Sequence, residues 1–196
     1  MPFPNLIHLN DASVQSVKYF VDANIWIYSL QKFDDLKPWE DNYYQFFFDI
    51  VESELDPKPK ILLPPILLSE IINTYLRKFA MSEYKIINKL PPNTILDFKR
   101  DYRPTQHYRD SYEKMIDDIS SLHASIEFLD DSLIAHDTTV LYQKNIGTFD
   151  YNDHVFFSLC KEYNKVNRLI MVTNDGDYAI NDFEILTLNR TLLALR

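Results

Sequence analysis

Four acidic residues stand where they could do chemistry together. Asp22 follows the apolar run Val17-Lys18-Tyr19-Phe20-Val21, and Asp175 follows the run Leu169 to Val172. Glu70 lies inside the stretch Ile66 to Phe79, and Asp153 opens the stretch Asp153 to Tyr163. Two strands that each close on an acid deliver two carboxylates to one carboxyl edge of a parallel sheet, where open α/β folds collect their ligands. Two helices can supply the others. Carboxylates massed together resist ionising together, so such a cluster is costly unless a cation neutralises it. The expected occupant is Mg²⁺ or Mn²⁺, which take oxygen ligands, keep several waters and need no histidine or cysteine. Two ions about 3.5 to 4 Å apart can activate water and stabilise both the entering and leaving oxygens of a phosphodiester.

Each acid also has a plainer reading. Asp22 opens Asp22-Ala23-Asn24 at a strand-to-helix junction, where an N-cap is common and the helix dipole favours negative charge. Glu70 sits in Leu68-Ser69-Glu70-Ile71-Ile72, and a buried glutamate needs a partner. Asp150 and Asp153 are three residues apart, so both could cap a helix or one could bind metal; Asp150 reads as the cap or as a support behind the ligands. Thr173-Asn174-Asp175-Gly176-Asp177 suits ligands, but it also suits an Asx turn. Within it Asp175 is the better ligand and Asp177 an anchor of the loop. Taken jointly, four acids at topologically consistent places favour a metal site over coincidence.

The elements that must position them alternate. Residues 1–15 are polar and proline-bearing and predict no element. Strands are expected over Val17 to Val21, Lys60 to Leu63, Ser125 to Leu129, Arg168 to Thr173 and Glu184 to Leu188. Helices are expected over Ala23 to Gln31, Trp39 to Leu55, Ile66 to Phe79, Tyr108 to His123 and Leu133 to Lys144. A further helix carries Asp153, and a short one ends the chain. Gly147 marks a turn. Strands alternating with helices imply an α/β fold with a central parallel sheet. The sequence reads as a single domain over residues 1–196, with a helical insertion at about 81–125.

The residues quoted so far carry a family resemblance. Phe20-Val21-Asp22-Ala23-Asn24, Ser69-Glu70, Phe149-Asp150-Tyr151-Asn152-Asp153 and Val172-Thr173-Asn174-Asp175-Gly176-Asp177-Tyr178 resemble, in order and spacing, the PIN-domain nucleases, including VapC-type toxins. The resemblance spans roughly residues 17–190. It implies a PIN-like (Rossmann-like) three-layer sandwich and metal-dependent ribonuclease chemistry. Asp22, Glu70, Asp153 and Asp175 match the acidic set, and Asn24, Thr173 and Asp177 match supporting positions. An antitoxin-like protein partner would follow from the toxin branch of the family. Two departures stand out: the stretch between Glu70 and Asp153 is longer than in compact toxins, and bulky His154-Val155-Phe156 follows Asp153 where small residues are usual.

For RNA binding, the basic and aromatic cluster Lys99-Arg100-Asp101-Tyr102-Arg103, with Arg109 beyond it, could steer and stack a single strand. A solvated loop and helix face is the competing reading. A net charge of −9 over 196 residues argues against holding nucleic acid by broad electrostatics, although ions bound at the acids would reverse the local sign. Tyr43-Tyr44-Gln45-Phe46-Phe47-Phe48 reads as core or as an interface, which leaves a homodimer open. Cys160 is the one cysteine, so no intramolecular disulfide can form, which fits a reducing compartment. No apolar stretch approaches the roughly 18 to 20 residues that span a bilayer, and a cytoplasmic protein is expected. The absence of a Ser-His-Asp set and of a glycine-rich phosphate loop weakens serine-hydrolase and kinase readings. The leading expectation is a metal-dependent ribonuclease. A PIN-like RNA- or protein-binding module without catalysis and a metal phosphohydrolase of small substrates are the alternatives.

Overall fold

Short apolar runs separated by polar and proline breaks pair into one six-stranded sheet in the computed structural model, which describes residues 5–30, 36–130, 151–178 and 182–195. The strands are β1 (Leu6–His8), β2 (Lys18–Val21), β3 (Lys60–Leu63), β4 (Ile126–Phe128), β5 (Leu169–Val172) and β6 (Glu184–Thr187). All pairings are parallel and the order is β1-β6-β5-β2-β3-β4. The inner strands β2, β3 and β6 open on a half-buried charged residue (Lys18, Lys60, Glu184) and are buried beyond it, because both faces are covered, as parallel sheets require; every residue of β5 is apolar and buried.

Helices cover the two faces. They are α1 (Ala23–Leu30), α2 (Pro38–Glu52), α3 (Pro65–Thr74), α4 (Met81–Ile87), α5 (Gln106–Ser121), α6 (Tyr151–Asn164) and α7 (Arg190–Leu193). Successive strand side chains point to opposite faces, so neighbours on β2 report both layers. Tyr19 packs edge-on against Phe46 of α2 at 6.0 Å, and Phe20 packs against Phe156 of α6 at 5.5 Å. The α/β, three-layer expectation with a central parallel sheet therefore holds. The aromatic run in α2 is mostly core: Tyr43, Phe46 and Phe47 are buried, as is Cys160 on α6.

Two expectations about elements need correction. The first fifteen residues are not without structure: Leu6–His8 forms β1 against β6, followed by a 3-10 turn over Leu9–Asp11. The strand is too short to show a period, and the β6 edge is what holds it. The helix carrying Glu70 does not stop at Phe79, because a π-type segment over Tyr75–Ala80 joins α3 to α4. Within residues 81–125 stand α4 and α5, with an irregular stretch over 90–97 and a second π-type segment over Phe98–Tyr102 ahead of α5. The expected helix Leu133 to Lys144, the turn at Gly147 and Asp150 lie outside the described residues.

The strand order fixes where a site can form. From β2 the chain proceeds outward through β3 and β4, whereas β5 lies on the other side of β2 and leads outward to β6. The reversal falls between β2 and β5, and in such sheets the crevice beyond the carboxyl ends of the strands opens at that switch point.

Candidate metal centre

Asp22 and Asp175 leave the sheet at that crevice. Val21 is level with Val172, so the next residues, Asp22 and Thr173, stand side by side. The Asp22 N–H still donates to Val172 O at 3.0 Å, continuing the ladder one step, while Asp22 O already accepts from Ile25 N at 3.0 Å and starts α1. Thr173 is fully buried. Its hydroxyl donates to Asp22 Oδ2 at 3.0 Å and accepts from the Asp175 N–H at 2.9 Å. One hydroxyl thus sets both the carboxylate at the end of β2 and the loop after β5.

Asp153 arrives from the opposite layer. It lies in the first turn of α6, where the helix dipole favours a negative group. Oxygens of Asp153, Asp175 and Asp177 all lie within 4.8 Å of one another. Buried Tyr178 donates its hydroxyl to Asp153 Oδ1 at 2.8 Å, and the Asp177 N–H donates to Asp175 Oδ1 at 3.0 Å. Glu70 sits in the second turn of α3, where the Asn152 side-chain amide donates to its Oε2 at 2.9 Å. Glu70 is therefore linked to α6 one residue before Asp153.

The electrostatics of Asp22 follow from this crowding. Burial raises its carboxyl to about 7, against the lowering effect of the Thr173 hydrogen bond, with the negative charges of Asp175, Glu70 and Asp153 adding to the rise. Burial, with the Asp153 charge second, also pushes the Tyr178 hydroxyl far up, so it stays a neutral donor. The hydrogen bonds named here to Asp22, Glu70, Asp153 and Asp175 all come from neutral groups. A set of carboxylate oxygens with no soft ligand suits a hard divalent cation, and the Asp153, Asp175 and Asp177 cluster could hold one.

The structure gathers the acids somewhat differently from the expectation. Asp177, read as a loop anchor, does hold the loop through its N–H, and its carboxylate also joins those of Asp153 and Asp175. Asp22 and Glu70 border that trio through Thr173 and Asn152. Asn24 is exposed on α1, and its side chain makes no hydrogen bond among the described residues. Lys99, Arg100, Arg103 and Arg109 are all exposed, and the Arg100 guanidinium is taken up by Asp101 at 2.7 and 2.9 Å.

Several supports were not read from the sequence. Tyr43 Oη accepts from Leu188 N at 2.8 Å and lies 3.0 Å from Thr173 O and 3.1 Å from Asn174 Oδ1. Burial raises this hydroxyl to about 12. Asn189 donates to Asn174 O at 2.7 Å while its own Oδ1 caps α7. Gly176 packs beneath the same amide, where a Cβ would lie 3.6 Å from Asn189 Nδ2, an ordinary contact. Tyr178 and Asn152 adjoin quoted acids, and that adjacency was the available signal. Tyr43 was hidden in a run that reads as core.

No protein-family model and no curated protein matches the chain. Among solved structures it is similar to the crystal structure of VapBC2 from Rickettsia felis bound to a DNA fragment from their promoter. The identity is 14%, the TM-score 0.48, and the match covers 87% of this chain and 98% of that one. A likeness that distant leaves function to the chemistry of the site. Among the described residues no helix is long and apolar enough to cross a membrane.

Proposed function

We propose that the chain is a PIN-like, Mg²⁺- or Mn²⁺-dependent endoribonuclease. The observation that carries this reading is the convergence of strand-end and helix-borne carboxylates at the switch point, with burial and the neighbouring negative charges raising the Asp22 carboxyl to about 7, which makes a counter-ion favourable there. Asp153 and Asp175 would be the principal ligands, with Asp22 and Glu70 completing the acidic set and Asp177 beside them. When bound, divalent ions supply activation of water and relief of negative charge on the entering and leaving oxygens. The protein's own groups do the positioning. Thr173 aims the Asp22 carboxylate, Tyr178 fixes one oxygen of Asp153, and Asn152 fixes one oxygen of Glu70.

The test is incubation of purified protein with single-stranded and structured RNAs, with and without Mn²⁺, beside the Asp22→Asn variant. Metal-dependent cleavage lost in the variant supports the proposal; cleavage that survives Asp22→Asn or needs no metal overturns it. The toxin branch rests on the sequence resemblance and extends to an antitoxin-like partner. Growth arrest on expression, relieved by the product of a neighbouring reading frame, would support it. A second reading is a PIN-like module that binds RNA or protein without cutting. The net charge of −9 and the Arg100–Asp101 pairing favour the protein-binding form of it, and binding without turnover in the same assay would select it.

A further inference from the structure

A cleft of about 340 Å³ opens beside the acids, walled by Ile27 and Phe79 and edged by Asn24, Tyr28, Thr74 and Lys78. That volume is at the lower end for small-ligand sites, the scale of one nucleotide. Three observations tie the cleft to the carboxylates. Asn24 is two residues beyond Asp22 on α1, Thr74 is one turn beyond Glu70 on α3, and the Asp22 charge is felt at the Tyr28 hydroxyl. Among the described residues Asn24, Tyr28 and Thr74 make no side-chain hydrogen bond, and Lys78 makes no ion pair. Glu40, which also faces the cleft, is committed instead to the Lys37 N–H at 2.8 Å.

We propose that this cleft is a substrate subsite for the ribonuclease reading above, on which it rests: it takes the nucleotide next to the cleaved phosphate of a single-stranded RNA. Apolar walls suit the faces of a base and ribose. Lys78 supplies the positive charge that an adjoining phosphate requires. Asn24, Tyr28 and Thr74 offer hydrogen bonds to the 2′-hydroxyl and to base edges that pairing would otherwise occupy, and a duplex could not enter a cleft of this size. Burial and the Glu40 and Asp22 charges raise the Tyr28 hydroxyl to about 12, so it remains a donor at neutral pH. The RNA then lies against α1 and α3 rather than on the exposed side chains of Lys99, Arg100, Arg103 and Arg109.

The experiment measures binding of a short fluorescein-labelled single-stranded RNA by anisotropy across a salt series. It uses full-length Asp22→Asn protein with Mn²⁺, so that the probe survives. Lys78→Ala should weaken binding about fivefold and flatten the salt slope by about 0.7, the share of one single-strand phosphate contact. Tyr28→Ala should weaken it about tenfold, with Tyr28→Phe in between. Lys78 is exposed, so its replacement tests the cleft without disturbing the fold. Unchanged affinity and slope in Lys78→Ala, with the loss appearing instead in Arg103→Ala or Arg109→Ala, would overturn the subsite. Cleavage of the same RNA by the wild type in Mn²⁺ is scored separately. Cleavage with a neutral Lys78→Ala sinks the cleft alone, whereas no cleavage sinks the ribonuclease reading and the subsite with it.

Discussion

Replacing Asp22 by Asn should stabilise the metal-free protein at pH 8 and leave it unchanged near pH 4. The two side chains have the same shape, and an Asn oxygen can still accept from the Thr173 hydroxyl, so the change removes charge and little else. Asp22 moves from 3.8 to about 7 on folding. Below pH 3.8 both states hold the proton and the group contributes nothing to the pH dependence. As the pH rises towards 7, the unfolded chain releases the proton and the fold does not. Stability present at low pH is therefore lost progressively, and above 7 the full cost applies. That cost is at most about 4 kcal/mol, at 1.36 kcal/mol for each tenfold change in proton affinity. For a chain of this length it corresponds to a Tm difference of up to roughly 8 to 16 °C. Differential scanning fluorimetry in EDTA from pH 4 to 8 would show the variant pulling ahead of the wild type as the pH rises. Saturating Mn²⁺ should close or reverse the gap, because an ion repays the wild-type carboxylate and finds less to bind in the variant. A wild-type-minus-variant difference that is flat with pH, or a variant less stable than wild type at pH 8 in EDTA, would refute the desolvation of Asp22.

Three further outcomes follow from the same contacts. Tyr43→Phe removes the acceptor for the Leu188 N–H and the donor towards Thr173 O and Asn174 Oδ1; the groups left unsatisfied should cost about 1–3 kcal/mol, read as a lower denaturation midpoint with an unchanged m-value. Thr173→Val should cost a similar amount, about 1–3 kcal/mol, and weaken Mn²⁺ binding, while Thr173→Ser keeps the hydroxyl and should retain most of both; equal loss in the two variants would deny the hydroxyl its role. Mn²⁺ binding should release about one proton near pH 6, because ligands must be deprotonated to coordinate, and the release should fade above pH 8; calorimetry in buffers of different ionisation enthalpy measures it, and Asp22→Asn should abolish it.

The parts of the fold legible in the sequence were those written by local burial. Tyr19-Phe20-Val21, Ile61-Leu62-Leu63 and Leu169 to Val172 are continuous apolar runs because helices cover them on both sides, and the acid that ends such a run announces the sheet edge. Non-local causes left weaker traces. Leu6–His8 is a strand only because β6 offers it an edge. The join of α3 to α4 was lost because a π-type turn shifts the phase of the apolar stripe that periodicity follows. Within the site, each carboxylate was visible but its partner was not. Tyr43 reaches across 130 residues to Thr173 and across 145 to Leu188, a distance at which spacing carries no signal. The grouping of Asp177 with Asp153 and Asp175 depends on how the loop turns at Gly176, which composition alone does not specify.

That wall of partners explains why the acidic cluster invites a cation rather than healing itself. Thr173 gives its single proton to Asp22 and can only accept from Asp175, so it orients both without neutralising either. Tyr43 sits in the same position one layer further out, accepting from Leu188 and donating into the turn, and so transmits the placement of β6 and α7 to the loop. Tyr178 and Asn152 fix oxygens of Asp153 and Glu70 by neutral hydrogen bonds. Such donors stabilise geometry and leave the summed charge intact. An arginine in any of these places would have made a stable ion pair and closed the crevice to metal. Beside these neutral donors, a proton on Asp22 and, on the proposed metal reading, a divalent ion among the carboxylates each relieve that charge, and near neutral pH those two compete for the same oxygens.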